Sequence, residues 1–399
     1  MKRIKKLVCL ALSTVMVMSV LAGCGKAGTS SGTSSASTAK SSKQAIALVC
    51  SAAGANDNGY NESAINGLKK VKEEMGINYK VVESTDIPGS LETLAKAGYK
   101  LIFSLEYNFD ALIKGVGGKK PIAEQYPDTT FVVFNDNPNV DSSGNVLHKN
   151  VISVMFNVNE SSFLAGALSV LVNENADKLF SSSDYSFTKG DAGNKLGFIG
   201  GSKSNGITVF GYGFASGVNY EAQKLGKKYT IYTNYDAGFT DSAAGSTLAN
   251  TFFSNGANII YGCAGSVCDG IDSKAKEVKK LSIEVDANKD SNQPGYILTS
   301  VIKNTEVPVV EISKYYNEGK LSEEGGKVLT YDLGSGATGI TDLSTIASKV
   351  TDKETWNKIL DELNDVKAKI SSGEIKVVNA QAGEKFDKSS LKNVVMPNE

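Results

Sequence analysis

The side chains best suited to chemistry in this sequence gather in short polar segments, each directly after a β-rich run. The segments combine aromatic rings, carboxylates, amides and glycines without a cluster of cations, and they span residues 56–61, 105–108, 135–137, 236–241, 264–266 and 286–288. Such a set suits an uncharged ligand with a flat ring to sandwich and hydroxyl groups to hydrogen-bond.

Two features of the composition exclude several kinds of chemistry. Arg3 is the only arginine of the 399 residues, and it lies in an N-terminal segment that we expect to be removed. The exported protein then has no guanidinium for bidentate binding of a carboxylate or phosphate, which disfavours amino-acid, peptide and nucleotide ligands. His148, the only histidine, lies in a polar stretch typical of a loop. A Ser-His-Asp hydrolase or a histidine-ligated metal site would have to use this single loop histidine. We therefore expect no catalytic residue, metal or cofactor.

The cysteines give no sign of a metal or redox site. Cys9 and Cys24 belong to the N-terminal segment, which leaves Cys50, Cys263 and Cys268. The spacing of the last two matches no zinc or thioredoxin pattern. We therefore expect buried free thiols, with a Cys263–Cys268 disulfide as the alternative.

The N-terminus predicts export and lipid attachment. A basic tip at residues 2–6 precedes an uncharged apolar run over residues 7–20, which ends in Leu21-Ala22-Gly23-Cys24. This order is typical of a secretory signal peptide over residues 1–23 that closes in a lipobox, where the Cys24 thiol is acylated and becomes the first residue. A transmembrane helix is the alternative, but the run is shorter than the ~20 residues that cross a bilayer. We expect lipid anchoring to the extracytoplasmic face of a bacterial plasma membrane.

A flexible tether and a folded body are expected beyond the signal peptide. Residues 24–43 are rich in Ser, Thr, Gly, Ala and Lys and have nothing apolar to bury. Loss of the four basic residues of the signal peptide leaves 38 basic residues against 43 acidic ones, a net charge of about −5. No basic patch suggests nucleic acid, and no second apolar run approaches membrane-spanning length.

Short β-rich runs alternate with helical segments along the folded body. Strands are predicted at residues 45–50, 79–83, 101–104, 130–134, 151–156, 196–199, 229–233, 259–262 and 281–285, and helices at 62–74, 91–97, 110–126, 160–173, 207–224, 242–254 and 271–279. This order predicts an α/β fold with two Rossmann-like lobes, parallel sheets and an interlobe ligand cleft. We place the N-terminal lobe at residues 44–150 with a return segment near 287–335. The C-terminal lobe is placed at 151–286, with the C-terminal segment 340–399.

A glycine-rich segment at residues 334–339 matches the pattern G-x-G-x-x-G after a plausible strand at 328–332. A dinucleotide site would need a helix start and a further βαβ unit there, whereas one amphipathic helix at 353–370 follows. A hairpin or a crossover is therefore expected instead of a cofactor site.

Eight short motifs follow one another between about residues 45 and 340. They are Asp57-Asn58-Gly59-Tyr60-Asn61-Glu62-Ser63, Phe163-Leu164-Ala165-Gly166, Gly197-Phe198-Ile199-Gly200-Gly201, Gly213-Phe214-Ala215-Ser216-Gly217, Gly238-Phe239-Thr240-Asp241, Gly256-Ala257-Asn258-Ile259-Ile260-Tyr261 with Ala264-Gly265, Val285-Asp286, and Leu298-Thr299-Ser300-Val301-Ile302-Lys303. In this order they resemble the basic membrane protein (PnrA-like) family, the nucleoside-binding lipoproteins of bacterial ABC importers. The resemblance implies a type I periplasmic-binding-protein fold.

The resemblance also implies roles for the site residues. Tyr60 and Phe239 would clamp a base from opposite lobes, and stacking of this kind is worth about 1–3 kcal/mol per base. Asp286 would accept hydrogen bonds from ribose hydroxyls, assisted by Lys303 and by the backbone around Gly265.

Polar contacts to the base are implied for a second group of residues. Asn61 and Asn135 fall where the family has such contacts, and Asp57 belongs to the same loop as Asn61. Tyr60 stands where the family usually has Phe, so its hydroxyl needs a partner. Asn135 stands where the family usually has an Asp that hydrogen-bonds to the purine edge. Asp136 could replace that Asp, but alternation along an extended strand would point its side chain to the opposite side. An amide both donates and accepts, so the residue does not decide between purine and pyrimidine nucleosides. Purine nucleosides are favoured by the resemblance.

The resemblance implies a monomeric, lipid-anchored substrate-binding protein that closes its lobes on a nucleoside and presents it to an ABC permease and ATPase. A sugar or autoinducer receptor on the same fold is the first alternative, because Asp, Asn and aromatic residues also suit pyranoses. A sensor that signals to a membrane kinase is the second. A nucleoside hydrolase would need an Asp-rich run after the first strand, and none follows it.

Overall fold

Two sheets of mainly parallel strands form the framework in a computed structural model, which describes residues 46–105 and 108–399. The predicted signal peptide, Cys24 and the tether lie outside the described residues, as do Glu106 and Tyr107. The chain from Ser42 to Glu399 is one compact unit, to which both sheets belong.

Strands and helices alternate along the chain, as the β-rich and amphipathic runs predict. The strands are β1 (Ile46–Val49), β2 (Tyr79–Val82), β3 (Leu101–Ser104), β4 (Thr130–Phe134), β5 (Val151–Phe156), β6 (Lys195–Gly200), β7 (Tyr229–Asn234), β8 (Ile259–Cys263), β9 (Leu281–Asp286), β10 (Ile297–Lys303), β11 (Val328–Tyr331), β12 (Thr338–Ile340) and β13 (Val394–Val395). The helices are α1 (Tyr60–Met75), α2 (Ile87–Lys96), α3 (Asp110–Ile113), α4 (Ile122–Gln125), α5 (Val158–Glu174), α6 (Ala176–Leu179), α7 (Asn205–Lys224), α8 (Ser242–Ser254), α9 (Val267–Glu277), α10 (Glu306–Asn317), α11 (Ser344–Ala347) and α12 (Lys353–Ser371).

Helix boundaries follow local chemistry. Asp86, Asp241 and Asp352 directly precede α2, α8 and α12, and each carboxylate accepts a backbone N–H of the first turn. One boundary prediction is wrong, because residues 110–126 form the two short helices α3 and α4 instead of one. The interruption contains Gly117 and Gly118, both with positive φ, and Pro121 stands directly before α4.

The first sheet has, among the described residues, six parallel strands in the order β11-β5-β4-β3-β1-β2. The sequence pattern places β5 in the second lobe, which is wrong, because β5 pairs with β4 and Phe131 lies opposite Val151. Alternation of strands and helices shows where strands lie but does not show which sheet a strand joins. Here a loop without a helix carries the chain from β4 back to the start of β5.

The second sheet has seven described strands in the order β12-β10-β9-β8-β6-β7-β13. Its strand pairs are parallel except for the pairing of β12 with β10, which is antiparallel. Strand β10 falls in the segment predicted to return to the N-terminal lobe, and this part of the prediction is also wrong, because β10 pairs with β9. The glycine-rich segment 334–339 leads from β11 in the first sheet to β12 in the second, so it is a crossover.

The second lobe is built around two helices in close contact, α5 and α7. Glycines at the contact let the backbones approach: a Cβ atom on Gly166 would lie 2.2 Å from the carbonyl oxygen of Phe214. Among the described residues, no helix is long and apolar enough to cross a membrane.

Candidate functional site

A cavity of about 580 Å³ lies where residues following strands of both sheets converge. The first sheet contributes residues after β1 and β4, and the second contributes residues after β6, β7, β8, β9 and β10. Seven of the predicted site residues line it: Asp57, Tyr60, Asn135, Phe239, Gly265, Asp286 and Lys303. The cavity is therefore the interlobe cleft that strand order predicts for open α/β sheets.

Tyr60 and Asn135 form a hydrogen-bonded pair on the first-sheet side of the cavity. The Tyr60 hydroxyl donates to the Leu105 carbonyl oxygen at 3.3 Å and accepts from the Asn135 side-chain Nδ2 at 2.6 Å. In this arrangement the Asn135 Nδ2 is the donor and the Tyr60 hydroxyl oxygen is the acceptor, which sets the orientation of the amide. The Asn135 Oδ1 is buried without a hydrogen-bond partner among the described residues, and Asn135 lines the cavity, so an acceptor without a partner lies at this part of the cavity wall.

Asn135 has a backbone conformation that suits an asparagine. Its φ is +63°, in the left-handed region where Asn and Asp are enriched. The neighbouring Asp136 is exposed and lines a separate cavity of about 380 Å³ together with Lys114. Asp136 therefore does not replace Asn135 in the main cavity.

Asp57 and Asn61 organise the loop that precedes α1. The Asp57 carboxylate accepts backbone N–H groups of Gly59, Asn61 and Glu62 at 2.8–3.1 Å, which satisfies unpaired donors at the helix start. Asn61 is fully buried, does not line the cavity, and uses its amide on Asp57 and Ser51. The contact to a base that the resemblance implies for Asn61 is not available here, because its amide holds the loop on which Tyr60 stands.

Phe239 faces the cavity from the second-sheet side. It lies in the loop after β7 and lines the cavity. Its side chain is 39% exposed, so the ring is accessible to a ligand. Gly201 leaves room for the ring, since a Cβ atom there would lie 2.4 Å from a ring carbon. The Phe239 carbonyl accepts the Ser266 backbone N–H at 2.9 Å. Gly265 permits this approach with a φ of +53°.

Asp286 and Lys303 form the charged end of the cavity. The Lys303 Nζ lies 4.9 Å from the Tyr60 ring centroid and 5.6 Å from that of Phe210, which suits a cation over aromatic faces. Burial raises the pKa of Asp286 above its usual range, and the charges of Lys303 and Lys289 oppose the shift. Burial lowers the pKa of Lys303, and Asp286 opposes it. The pair therefore offers one acceptor group and one donor group at the same end of the cavity.

The two lobes touch beside this charged end. Gly59, before α1, lies so close to Asp286 that a Cβ atom on the glycine would be 3.4 Å from the Asp286 Cβ. Asp286 itself has a φ of +72° at the end of β9. The contact brings the carboxylate of one lobe against the helix start of the other.

Sequence reasoning missed several residues of the cavity wall, among them Phe210, Cys263 and Lys289. One signal for Lys289 was available, because Glu284 lies between the apolar residues Ile283 and Val285 of a strand and a buried carboxylate needs a partner. Cys263 and Cys268 are buried free thiols, as expected, and burial raises the pKa of each. Within the described ranges, no group of three or more His, Cys, Asp or Glu side chains could hold a metal ion.

Solved structures place the fold among the type I periplasmic binding proteins. An ABC transporter solute-binding protein from Aeropyrum pernix K1 matches with a TM-score of 0.67 at 22% identity, over 87% of this chain and 95% of that one. A solute-binding protein from Conexibacter woesei DSM 14684 matches with a TM-score of 0.59 at 16% identity, over 84% of this chain and 99% of that one. The chain thus has the fold of the two-lobed solute-binding proteins.

The family is given by sequence. A family model described as ABC transporter substrate-binding protein PnrA-like (Bmp) matches residues 43–381, and the chain belongs to this family. ABC transporter nucleoside-binding protein BmpA of Lactococcus lactis subsp. cremoris is 29% identical over 377 residues, covering 88% of this chain and 94% of its own. Basic membrane protein A of Borreliella burgdorferi is 28% identical over 344 residues, covering 84% and 88%. Members of the family are extracytoplasmic binding proteins of ABC transporters and not enzymes.

Proposed function

We propose that this protein binds a nucleoside between its lobes, with purine nucleosides favoured, and presents it to the permease and ATPase of an ABC importer. One observation carries the proposal: a single cavity combines an aromatic ring from each side with an amide acceptor and a carboxylate–ammonium pair. The name of the Lactococcus relative, a nucleoside-binding protein, supports it.

The base would lie between Tyr60 and Phe239. Stacking on aromatic rings is tolerant of base identity because every base has a π-face. Selectivity would come from Asn135, whose Oδ1 has no partner among the described residues and accepts an N–H group of the base edge. A ligand without a donor at that edge would leave the buried oxygen unsatisfied.

The pentose would lie at the charged end. The Asp286 carboxylate accepts hydrogen bonds from vicinal hydroxyl groups, and the Lys303 ammonium donates to their oxygens. No hydrogen bond or ion pair of the Lys303 Nζ is found among the described residues, so its N–H groups are available. A deoxy ligand would leave part of this end unpaired.

Lobe closure would couple the two halves of the site. Each lobe contributes one ring, so a ligand that touches both stabilises the closed arrangement over the open one. The contact between Gly59 and Asp286 is of the kind that closure makes. Release to a permease then requires the lobes to part.

Membrane attachment would be through acylated Cys24. The proposal is supported by the basic tip, the apolar run and the sequence Leu21-Ala22-Gly23-Cys24. We expect labelled palmitate to be incorporated into the wild-type protein and not into a Cys24→Ser variant. Equal incorporation of the label into both proteins would contradict lipid attachment at this residue.

A ligand panel tests the binding function. Thermal shift and calorimetry would compare guanosine, inosine, adenosine, uridine, ribose and galactose on the purified wild-type protein. We expect the largest stabilisation from a purine nucleoside and none from the free sugars. Stabilisation by a free sugar and by no nucleoside would overturn the proposal in favour of a sugar receptor. Mass spectrometry of any ligand carried through purification gives an independent identification.

A further inference from the structure

A buried group of ionisable side chains lies behind the charged end of the cavity. The Lys289 Nζ lies 3.2 Å from the Glu284 Oε2, and the two side chains are 6% and 0% exposed. Lys289 lines the cavity together with Asp286, whereas Glu284 lies behind the wall. The nucleoside contacts proposed above do not use either residue.

A third member of the group is Asp272 on α9. Both of its carboxylate oxygens, and the second Glu284 oxygen, are buried without a hydrogen-bond partner among the described residues. Burial, with a smaller contribution from Glu284, raises the pKa of Asp272 well above its usual range. A protonated Asp272 can donate a hydrogen bond to a Glu284 oxygen.

The position of Lys289 is fixed by its backbone as well as by its side chain. The Lys289 backbone N–H donates to the Ser300 Oγ at 3.0 Å, and that hydroxyl donates to the Asp290 Oδ1 at 2.7 Å. The loop after β9 is therefore tied to β10, and the ammonium is held at one place on the cavity wall.

Stability alone does not account for this group. Replacing a buried ion pair by apolar side chains of similar size is often neutral or stabilising. An ammonium, however, carries three N–H donors, and the described structure pairs the Lys289 Nζ with Glu284 alone. N–H groups of the Lys289 ammonium therefore remain without a partner among the described residues, at the wall of the cavity.

The two lysines of this end each lie near a carboxylate, although only Lys289 forms an ion pair. Lys289 is paired with Glu284, and Lys303 lies close enough to Asp286 for their charges to shift one another's pKa. No uncompensated positive charge is left to attract a phosphate group. The available donor therefore suits a neutral oxygen.

We propose that Lys289 is a specificity-determining residue that donates a hydrogen bond to a sugar oxygen of the bound nucleoside, with Glu284 as the positioning residue that holds its ammonium. The inference rests on the proposed function and adds a second lysine to the pentose end. It accounts for a buried charged group that the fold itself does not require.

The test uses the double variant Lys289→Met/Glu284→Gln, which removes both charges and leaves no unpaired ion to prevent folding. Calorimetry would compare guanosine with its 2′-, 3′- and 5′-deoxy analogues on the wild-type protein and the variant. Lys280→Met serves as the control, since Lys280 is a buried lysine of the same lobe that bonds to the Ala257 carbonyl and does not line the cavity.

We expect the double variant to bind guanosine at least about tenfold more weakly and to become indifferent to the loss of one particular hydroxyl group. Lys280→Met should bind like the wild-type protein. Unchanged guanosine affinity in a folded double variant, or an equal loss for all four ligands, would overturn the role of Lys289 while leaving nucleoside binding intact. Wild-type protein that binds no nucleoside would overturn the proposed function, and this inference with it.

Discussion

At the scale of single residues, Asp286 illustrates how a carboxylate that we propose to bind the ligand is kept in a buried position. Its carboxylate is desolvated, which raises its pKa, while two lysines limit the shift. The protonated form therefore contributes stability to the ligand-free protein at low pH, and that contribution is lost as the pH rises through the raised pKa. In the site that we propose, the ionised form accepts the hydroxyl groups of the ligand, so binding and stability should respond to acid in opposite directions.

For Asp286→Asn we predict nucleoside binding at least about tenfold weaker, or ~1.4 kcal/mol. Asparagine tolerates the positive φ at this position, so the backbone is retained. Wild-type affinity should fall on acidification at a pH above the usual aspartate range, whereas the variant should show little dependence on pH. Calorimetry between about pH 5 and pH 8 measures both effects. An unchanged pH profile in the variant would assign the titration to another group.

A second residue-scale prediction concerns stability alone. Glu221 on α7 is 1% exposed, and burial raises its pKa to about 7, although Lys224 partly opposes the shift. Because the native pKa is raised, the stabilisation by the protonated form is present at low pH and is lost as the pH rises through about 7. Glu221→Gln should be more stable than wild type by on the order of 3 kcal/mol at alkaline pH and similar to it near pH 5. Urea unfolding at the two pH values checks this, and parallel losses of stability in both proteins would contradict it.

At the scale of elements, the contact between α5 and α7 depends on glycine. A Cβ atom on Gly166 would lie 2.2 Å from the Phe214 carbonyl oxygen and 2.9 Å from the Val218 backbone nitrogen. Since backbone cannot move aside without separating the helices, Gly166→Ala should lower the free energy of unfolding by about 3 kcal/mol. Gly339→Ala is the control, because a Cβ atom there meets nothing within 4 Å and φ is not positive.

Chemical denaturation of the two glycine variants gives the measurement. The expected order of stability is wild type close to Gly339→Ala, with Gly166→Ala far below both. Equal stability of the two variants would show that α5 and α7 can accommodate a Cβ atom at this contact.

At the scale of the whole molecule, the cavity requires both lobes. Three chain segments join the sheets, after β5, after β10 and after β11. Tyr60 and Phe239 lie on opposite sides of the cleft, so neither lobe alone provides the complete site. A joint of this kind permits hinge closure around a ligand.

We predict that guanosine reduces the radius of gyration of the wild-type protein and that Phe239→Ala both weakens binding at least about tenfold and lessens the compaction. The reason is that Phe239 supplies the stacking contact between the ligand and the second lobe. Without this ring the ligand stabilises the closed arrangement less. Small-angle X-ray scattering with and without ligand measures the change. Saturating binding without compaction in the wild-type protein would refute closure as the mechanism.

The sequence by itself determined the features that depend on neighbouring residues. Alternating periodicity located most strands and helices, the helix predicted at residues 353–370 begins at Lys353, and the scarcity of arginine, with Arg3 alone in the sequence, disfavoured guanidinium chemistry. The positions after the strands predicted which residues face a cleft, and Tyr60 and Phe239 both line it. These properties are local because backbone periodicity, capping and composition act within a few residues.

Only the tertiary structure decided which distant groups meet. It placed β5 in the first sheet and β10 in the second, paired the Asn135 Nδ2 with the Tyr60 hydroxyl, buried Asn61, and set Lys289 on the cavity wall against Glu284. Strand partners and hydrogen-bond directions follow from packing among groups far apart in the chain. The pattern of a single segment does not contain that information, because any strand of the right composition fits several sheet positions and an amide fits its site in either orientation.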